Sequence, residues 1–409
     1  IQQGKLEKGA HAALFQDVRQ KFLLSLRVPD CRWCAPRIII GARAAQRLEL
    51  FDSGNHSLLL DLHYVRYPSG LLKISVYTQY WIVNLTGLPL LFSQSSLNRN
   101  VMAAGQSPSV KAIAAEEDEV VAAKSHMSMN SSTLDHISLD ARYPSEPKGR
   151  QRPSYASDVF RPVMFFQEKL GKKLSVRTTA TEWSEGFSFQ DSAVEIVDLP
   201  QRMHKGHARG MYQFVSSVER ASGKFWRTRM ISIKPHIVLV NNTKRCLLCC
   251  QRSVGEDDAV FLEVDEQRPF HWSDASRDRL LSVCFSQEGW NWSAGFPVIP
   301  NHRITIKARN LAGQTALLKV RNIDNDGTVV VVFGEEHPEF PTYKIHNASS
   351  HPVLIHQYLA TPHVYETIPA GASVAYAWDD PALQPMLLEV VSISGDEKIL
   401  LDLDNMGLF

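Results

Sequence analysis

One spacing recurs three times in this chain and constrains its fold more than any other feature. In each copy an asparagine is followed two positions later by Ser or Thr and ten positions later by glutamine, with mostly apolar residues between. The copies are Asn84–Gln94, Asn241–Gln251 and Asn347–Gln357. Three matches at one spacing indicate an internal repeat, and a repeat decides the architecture before any local pattern does.

The length of the repeat follows from a second motif. Leu174-Ser175-Val176, Leu281-Ser282-Val283 and Leu388-Glu389-Val390 begin 107 residues apart in both intervals. A unit of this length exceeds a helical hairpin or a leucine-rich repeat and is typical of a small β-sandwich. The sequence therefore predicts an all-β fold, a tandem array of antiparallel β-sandwich-like repeats with a period of about 107 residues.

Short runs of β-branched and aromatic residues favour the same fold class. Tyr80–Val83, Ile237–Val240 and Val329–Phe333 are such runs, and Gly, Pro, Asn and Asp separate them. Asn325-Asp326-Gly327 is the strongest hairpin signal in the chain. Long helical periodicity is largely missing, so we expect antiparallel hairpins.

The repeat alignment divides the chain into four segments. These are 1–79, the C-terminal part of a repeat; 80–236 and 237–342, two repeats; and 343–409, an incomplete repeat. The segment 80–236 carries extra length at about 95–158, which is polar, rich in Ser and short of aromatic residues. Such a composition cannot form a core, so we expect a disordered insertion there, with a short helix at 112–123 as an alternative.

The charge balance and the apolar runs exclude several classes of protein. The chain carries 44 Lys and Arg against 43 Asp and Glu, so it lacks the basic surplus typical of proteins that bind nucleic acid. No apolar run approaches the roughly 18 residues of a membrane-spanning helix. The chain starts with neither an initiator Met nor the apolar core of a signal peptide. We therefore expect a fragment of a longer protein that binds no nucleic acid.

The cysteines suggest a zinc site that the repeat alignment argues against. Cys31-x-x-Cys34 and Cys246-x-x-Cys249 together resemble a split four-thiolate site. In the alignment, however, Cys34 takes the position of Ser293, so these are structural positions that small or apolar residues fill. We expect no metal and no cofactor, and reduced, buried thiols.

The repeat asparagines Asn84, Asn241 and Asn347 are the candidate site residues. Each lies where an apolar strand meets a turn, and a short amide side chain there can hydrogen-bond the backbone and hold the reversal of the chain. A second interpretation is that these residues shape a recurrent groove for a binding partner. A third is N-glycosylation, because each asparagine begins a formal acceptor sequence.

Aromatic residues also recur at fixed repeat positions. Trp183 and Phe187 are matched by Trp292 and Phe296 in a Trp-Ser-x-Gly-Phe motif. They could form a platform for a ligand, but large aromatics at fixed repeat positions are more often core residues.

No motif in the chain indicates catalysis. We find neither a Gly-rich phosphate loop nor a Gly-x-Ser-x-Gly elbow, and Asp274 and Asp380 are expected to cap turns rather than to act as acid and base. His346, His351 and His356 surround the last turn and lack metal-ligand spacing and a matching acid, and His204 and His207 follow Arg202 in a basic loop. We expect surface or structural roles for most of these histidines.

The segment Tyr80–Leu90 gives the chain a family resemblance. It resembles the signature that opens the SHORT-ROOT-binding segment of the vacuolar protein sorting 13 family of bridge-like lipid transfer proteins. The Trp-Ser-x-Gly-Phe motif and the later asparagines are similar to the adaptor-binding domain of that family. The resemblance covers the chain from about Leu24 to its end, apart from 95–158. Leu85 and Asn242 depart from the charged residue often found after the repeat asparagine.

The resemblance implies an array of six β-rich repeats, of which this chain carries the later part. Asn84, Asn241 and Asn347 would be repeat asparagines, with Asn347 in the last repeat. It also implies docking onto organelle-resident adaptor proteins, in several cases through short Pro-x-Pro-type peptides, and so an indirect membrane contact. The lipid would be carried by other regions of the full-length protein.

The sequence thus predicts a non-enzymatic, cytoplasmic adaptor-binding module. It would be peripheral at organelle membranes, at endosomes, lysosomes or vacuoles, or at mitochondrial contact sites. Peptide binding is expected within 237–409, near Asn241 and Asn347. An extracellular β-sandwich adhesion array with N-glycosylation is the main alternative, and a β-rich hydrolase would require a cluster of acids or a nucleophile that the sequence does not show.

Overall fold

Short strands make up most of the part of the chain that the structure, a computed structural model, describes. The described residues are 22–24, 38–40, 45–51, 57–93, 163–165, 173–189, 194–201, 210–337, 339–361, 364–392 and 398–405. The expected insertion at 95–158 with its alternative helix, Cys31, Cys34, His204 and His207 lie outside these ranges.

The strands are numbered here in chain order. In 1–79 they are β1 (Phe22–Leu24), β2 (Ile38–Ile40), β3 (Ala45–Phe51), β4 (Ser57–Arg66) and β5 (Leu72–Tyr77). In 80–236 they are β6 (Tyr80–Asn84), β7 (Leu91–Ser93), β8 (Val163–Phe165), β9 (Lys173–Arg177), β10 (Phe187–Ser188), β11 (Glu195–Pro200), β12 (Met211–Arg220) and β13 (Arg229–Pro235). In 237–342 they are β14 (Ile237–Asn241), β15 (Leu247–Gln251), β16 (Val260–Leu262), β17 (Gln267–Phe270), β18 (Leu280–Phe285), β19 (Phe296–Pro297), β20 (Arg303–Arg309), β21 (Thr315–Asn325) and β22 (Thr328–Glu335). In 343–409 they are β23 (Tyr343–His346), β24 (Val353–Gln357), β25 (Glu366–Ile368), β26 (Ser373–Tyr376), β27 (Leu388–Ser392) and β28 (Lys398–Leu401).

The helices of the described residues are two 3-10 turns, at Gly223–Phe225 and Glu256–Asp258. The predicted all-β fold is therefore confirmed. No helix among the described ranges is both long and apolar enough to cross a membrane.

The chain divides into two compact units. The first comprises Ile1–Leu199 with Phe214–Lys234, and the second comprises Pro200–Gln213 with Pro235–Phe409. The first unit contains the sheet β3-β4-β5, the sheet β10-β9-β7 and most of the sheet β11-β12-β13-β6-β8. The second unit contains both segments predicted as 237–342 and 343–409, and the four predicted boundaries stay a prediction.

Residues 237–342 form a two-layer sandwich. One layer is β17-β14-β22-β21-β20 and the other is β16-β15-β18-β19. Both layers contribute to one core, as Leu239 of β14, Leu247 of β15 and Phe333 of β22 are each 0% exposed and pack in the same cluster. Each such side chain stabilises the fold by about 1.5–3 kcal/mol when it is removed from water. Along β14 buried and half-buried residues alternate, as the two faces of a strand require.

Two sheets contain a parallel pair that the hairpin pattern does not predict. β14 pairs in parallel with β22, with Ile237 opposite Val329, and β6 pairs in parallel with β13, with Tyr80 opposite Arg229. A parallel pair needs a long crossover connection, and here the connection is most of the repeat itself. The first and last strands of 80–236, and those of 237–342, therefore lie side by side.

Residues 343–409 repeat this arrangement only in part. β23 and β26 form a two-stranded antiparallel sheet, and β25-β24-β27-β28 form the second layer. The core contains Ile355, Tyr376 and Leu388, each 0% exposed. In the part of the chain that the structure describes, β23 has no strand in the place that β22 takes beside β14.

Candidate functional site

Asn241 lies at the end of β14, fully buried at 0% exposure, and its side chain bonds only to nearby turns. Its Nδ2 donates to the carbonyl oxygens of Arg245 at 2.9 Å and Glu263 at 3.0 Å, with a longer contact to Leu262 at 3.3 Å. Its Oδ1 accepts from the backbone N–H of Thr243 at 3.0 Å and from its hydroxyl at 2.7 Å. One amide thus ties the turn after β14 to the turn after β16.

Asn347, at 6% exposure, makes the same set of bonds after β23. Its Nδ2 donates to the carbonyl oxygens of His351 at 2.9 Å, Ile368 at 3.0 Å and Pro369 at 3.1 Å. Its Oδ1 accepts from the backbone N–H of Ser349 at 3.0 Å and from its hydroxyl at 2.7 Å. The hydroxyl two positions after the asparagine is therefore part of the turn.

Asn84 is half-buried and makes the local part of this network. Its Nδ2 donates to the carbonyl oxygen of Leu88 at 2.6 Å, and its Oδ1 accepts from the backbone N–H of Thr86 at 3.1 Å and its hydroxyl at 2.7 Å. Across the three turns the amide groups are occupied by backbone partners. The burial of Asn241 and Asn347 leaves no room for a glycan on the folded chain.

The repeat glutamines Gln251 and Gln357 each lie on a strand of one layer and bond the turn that follows a strand of the other layer. Gln251 donates from Nε2 to the carbonyl oxygen of Asp274 at 2.9 Å, and its Oε1 accepts the Asp274 backbone N–H at 2.9 Å. Gln357 makes the equivalent pair with Asp380, at 2.8 and 2.7 Å. Each glutamine is followed at the same spacing by a Trp-x-Asp motif, Trp272-Ser273-Asp274 or Trp378-Asp379-Asp380, and these two-point contacts account for that spacing.

Both aspartates of that motif cap turns. Asp274 Oδ1 accepts from the Ser276 hydroxyl at 2.6 Å and its backbone N–H at 2.9 Å. The hydrogen bonds from Ser276, and then the one from Arg277, hold the pKa of Asp274 below its usual value. Asp380 accepts from the Ala382 backbone N–H at 3.1 Å. Neither carboxylate faces a second poised acid, so the geometry does not suit acid–base chemistry.

A cluster of charged side chains joins β20 to the segment 343–409. Lys307, whose side chain is 2% exposed, donates to Glu366 at 2.7 Å and to Asp379 at 3.3 Å. Arg309 contacts the same two carboxylates at 2.7 Å each. Lys307 Nζ also lies 4.4 Å from the centre of the Tyr376 ring. The sequence did not predict this cluster.

The Trp-Ser-x-Gly-Phe motif is only partly a core motif. Phe187 and Phe296 are buried, as expected, but Trp183 and Trp292 are half-exposed, so the expectation of a core position was wrong for them. Trp292 Nε1 donates to Glu256 at 2.9 Å. Ser293, the small residue of the motif, bonds the backbone N–H of Val283 at 3.1 Å and so fastens the loop to β18.

The four described cysteines are unpaired. Cys249 is 0% exposed, and burial raises the pKa of its thiol well above the usual value. Burial also raises the pKa of Cys250 to about 11 and that of Cys284 to about 12. No group of three potential ligands within the described ranges could hold a metal ion.

His356 has an acid partner that the sequence did not reveal. Its Nε2 bonds Glu389 Oε2 on the adjacent strand β27, and its Nδ1 lies 2.6 Å from the carbonyl oxygen of Gln357. The two side chains are 4% and 10% exposed. The expectation that this histidine lacks a matching acid was wrong, because Glu389 becomes its cross-strand neighbour only through the register of β24 and β27.

The outer edge of β23, called here the β23 edge, leads directly into the repeat asparagine Asn347. Asn347 donates its backbone N–H to Ala372 on the β26 side, so the backbone groups of Lys344 and His346 point the other way. Lys344 and His346 are exposed, and Tyr343 and Ile345 are only half-buried.

The equivalent residues of β14 differ in their environment. Ile237 is 3% and Leu239 is 0% exposed, because both pack in the core between the two layers, and β22 pairs with β14 on the side that is open at β23. At the β23 edge the corresponding apolar surface of Tyr343 and Ile345 is partly open, and Tyr343 Oη donates to Asp404 at 2.6 Å. The β23 edge therefore presents both unpaired backbone groups and apolar surface, among the residues described.

Known proteins match the chain over almost its whole length. The family profile described as vacuolar-sorting associated protein 13, adaptor binding domain, matches residues 2–385. The human intermembrane lipid transfer protein VPS13D is 25% identical over 410 residues, which covers 97% of this chain and 8% of that protein. Vps13D of Drosophila melanogaster is 23% identical over 351 residues, 84% of this chain and 8% of the relative.

A fungal relative matches in the same way. The intermembrane lipid transfer protein VPS13 of Chaetomium thermophilum is 21% identical over 396 residues, 90% of this chain and 11% of the relative. The chain thus spans about a tenth of the length of these relatives. The resemblance to the vacuolar protein sorting 13 family is confirmed by the profile. This chain belongs to the vacuolar-sorting associated protein 13 family and consists largely of its adaptor binding domain.

Proposed function

We propose that this chain is a non-catalytic module that binds proline-containing, Pro-x-Pro-like segments of adaptor proteins, and that the peptide adds as a strand at the β23 edge. The family assignment supports an adaptor protein as the partner. The observation that supports the position is that Lys344 and His346 of β23 are exposed and direct their backbone groups away from β26.

The backbone of β23 offers the contacts that an extended peptide needs. The N–H and C=O groups of Lys344 and His346 point to the open edge, and main-chain bonds of this kind give a strand-addition complex its affinity. The half-exposed side chains of Tyr343 and Ile345 offer apolar contact surface beside them.

A Pro-x-Pro segment suits such an edge for a geometric reason. In a strand, alternate residues direct their backbone groups to opposite sides, so prolines at every second position both face away from β23. The residue between them retains its N–H and pairs with the edge. Proline, which cannot donate a backbone hydrogen bond, is tolerated in a strand where its nitrogen faces solvent.

Targeting follows from this mode of binding. We propose that the module is cytoplasmic and peripheral at organelle membranes, where resident adaptors hold it. The lipid-transfer activity named for the relatives would lie in parts of the full-length proteins outside the matched segment.

A proline substitution in the edge itself tests the proposal. Lys344→Pro removes a backbone N–H that faces the open edge, whereas Lys344→Ala removes the same side chain and keeps that N–H. A labelled Pro-x-Pro peptide is titrated against each protein by fluorescence anisotropy. It should bind the parent and Lys344→Ala alike. It should bind Lys344→Pro at least about tenfold more weakly, because one main-chain hydrogen bond to the peptide and the bond next to it are lost. Equal binding by all three proteins would remove the β23 edge from the mechanism.

A further inference from the structure

The side of the sheet β17-β14-β22-β21-β20 that points away from the core, called here the outer face, carries basic residues. Side chains alternate along a strand, and the register of the five strands fixes which of them point outward. Within these described strands, five outward residues are Lys or Arg and none is Asp or Glu. The basic residues are Arg303, Lys307 and Arg309 on β20 and Lys319 and Arg321 on β21. The outer face is therefore suited to acidic partners.

Three of these basic residues already have carboxylate partners from outside the sheet. Lys307 and Arg309 pair with two carboxylates of the segment 343–409, at distances between 2.7 and 3.3 Å. Lys319 pairs at 3.3 Å with Glu336, which follows β22. The outer face thus binds acidic side chains that later parts of the chain supply.

Arg303 and Arg321 are left without such a partner. They stand directly opposite each other in the register of β20 and β21, and both are exposed. In the part of the chain that the structure describes, neither side chain forms a hydrogen bond or an ion pair. Like charges directly opposite each other in a sheet are destabilising. A carboxylate that binds between the two arginines would relieve their repulsion.

An apolar patch adjoins these two arginines on the outer face. It consists of half-buried valines of β14 and β22, with more exposed residues at its margins. Called here the valine patch, it comprises Val238, Val240, Val330, Val332, Ile323 and Pro269. The register makes the patch continuous across β17, β14, β22 and β21. Because Val332 lies directly opposite Arg321, the apolar surface and the positive charge meet.

The last segment shows that valines are not required at these positions of the fold. Lys344 and His346 take the places of Val238 and Val240 in the repeat register, and both are exposed. A solvated strand in this position is thus built from polar residues. A contiguous apolar patch with a polar margin is instead typical of a surface that a partner covers.

The dimensions of the valine patch suit one α-helix. Neighbouring strands lie about 4.8 Å apart, so the four strands from β17 to β21 span about 14 Å. A helix with its side chains is about 10–12 Å across. In the interior of a sheet the backbone groups bond the neighbouring strands, so the face offers side chains alone, and a helix satisfies its own backbone groups. A helix fits this face better than an added strand does.

We propose that the outer face of 237–342 is a second docking site, and that it takes an acidic amphipathic helix of a protein partner. Apolar side chains of the helix pack on the valine patch, and Asp or Glu residues on its flank bind Arg303 and Arg321. This site lies on a different segment from the β23 edge and does not depend on the peptide proposed there.

The charge of the outer face favours such a helix over a second copy of the chain or a membrane. A second copy that docks through the same face would bring further arginines and no carboxylate. Anionic bilayers are recognised by clusters of about 4–8 Lys and Arg. Here two unpaired arginines stand beside the valine patch.

Fluorescence anisotropy of the whole chain with a labelled, capped peptide of about 18 residues tests the proposal. The peptide carries Leu along one helical face, Glu along one flank and Ala elsewhere, all of which favour a helix. The chain should bind this Glu peptide. It should bind the same peptide with Lys in place of Glu at least about tenfold more weakly, because the arginines then face like charges.

Substitutions at the outer face separate a binding role from a structural one. Arg321→Glu places opposite charges across the register, so it should unfold at no lower temperature than the parent. Its affinity for the Glu peptide should nevertheless fall by about tenfold or more, and its affinity for the Lys peptide should rise. Val330→Thr keeps the branched shape and should weaken binding of the Glu peptide by about threefold.

Two control variants should bind the Glu peptide like the parent. Arg279→Gln removes an exposed charge next to β18, in the other layer. Lys344→Pro changes the β23 edge, so a defect confined to the Pro-x-Pro peptide keeps the two sites distinct. Loss of the Glu peptide in Lys344→Pro would instead place the helix at the β23 edge.

The remaining outcomes distinguish the other occupants of the outer face. Vesicles of phosphatidylcholine with phosphatidylserine should not bind the chain in a flotation assay, and light scattering should give the mass of a monomer. The proposal is overturned if the Glu peptide does not bind, if the Lys peptide binds as tightly, or if Arg321→Glu and Val330→Thr leave binding unchanged. Vesicle binding or self-association that Arg321→Glu abolishes would also overturn it.

Discussion

Lys307 and Glu366 form an ion pair of 2.7 Å, and the lysine side chain is only 2% exposed. The two residues come from segments that the repeat alignment assigns to different repeats, and 59 positions separate them along the chain. A charge that is removed from water is stable only with its partners in place. The contact therefore couples the folding of 343–409 to that of β20.

Replacing this lysine should destabilise the second unit. Lys307→Ala leaves Glu366 and Asp379 with Arg309 as their remaining partner, and we expect a loss of about 3 kcal/mol in the free energy of unfolding, as when one member of a buried pair is removed. Urea denaturation followed by circular dichroism measures the change. Lys319→Ala is the matched control, because Lys319 is 48% exposed in its pair with Glu336 and its loss should cost less than about 1 kcal/mol. Equal effects of the two substitutions would show that burial does not strengthen the Lys307 contacts.

The buried amide of Asn241 should also support stability. Asn241→Ala removes a donor to Arg245 and Glu263 and an acceptor from Thr243, and we expect a loss of about 1–3 kcal/mol. Asn242→Ala is the control, because Asn242 is the exposed neighbour and its backbone bond to Phe333 is kept. The midpoints of thermal unfolding of the two variants give the comparison. A parent-like Asn241→Ala protein that no longer binds the Pro-x-Pro peptide would make the asparagine a contact residue instead of a structural one.

The sequence predicts the residues that recur in each repeat, but few of the contacts that one repeat makes with the next. The asparagine and its hydroxyl partner recur at one spacing because a single turn uses both, and the glutamine recurs because it bonds the turn at the aspartate 23 positions after it. Lys307 gave no such signal. It alternates with Thr305 and Arg309 along β20, a pattern typical of a solvated strand face, and its acidic partners lie far away in the sequence.

The parallel pairs and the histidine–glutamate pair were missed for a related reason. β14 meets β22 only after the rest of the repeat has folded between them, so no local pattern encodes their register. Glu389 likewise stands opposite His356 through the pairing of β24 with β27. In the preceding repeat the corresponding residues Cys250 and Ser282 carry no charge, and the repeat alignment therefore gave no hint of an ion pair.

The cap at Asp274 should make stability depend on pH at the acid end. Its folded-state pKa is lowered, first by the hydrogen bonds from Ser276, so the group contributes stability above its unfolded pKa of about 3.9. That contribution is lost as the pH falls through the folded-state pKa. Asp274→Asn should therefore be less stable than the parent near neutral pH, and the difference should shrink below about pH 4.

The midpoints of thermal unfolding of Asp274→Asn and of the parent, measured from neutral pH to below about pH 4, give this difference. Asp278→Asn is the control, because its side chain is exposed and only its carbonyl oxygen bonds Gln251. The difference between the unfolding midpoint of Asp278→Asn and that of the parent should not change over the same pH range. If the stability difference between Asp274→Asn and the parent does not change with pH, the charge of Asp274 contributes nothing to the cap.

The buried thiols should be unreactive while the chain is folded. The pKa of Cys250 is raised to about 11 and that of Cys284 to about 12, in each case chiefly by burial. At about pH 8 the fraction of reactive thiolate at Cys250 is then on the order of one in a thousand. Iodoacetamide should therefore leave Cys249, Cys250 and Cys284 unmodified in native buffer and label all three in urea, with peptide mass spectrometry to locate the label. Rapid native labelling at Cys250 or Cys284 would contradict their burial, and labelling that begins at the half-buried Cys246 alone would agree with it.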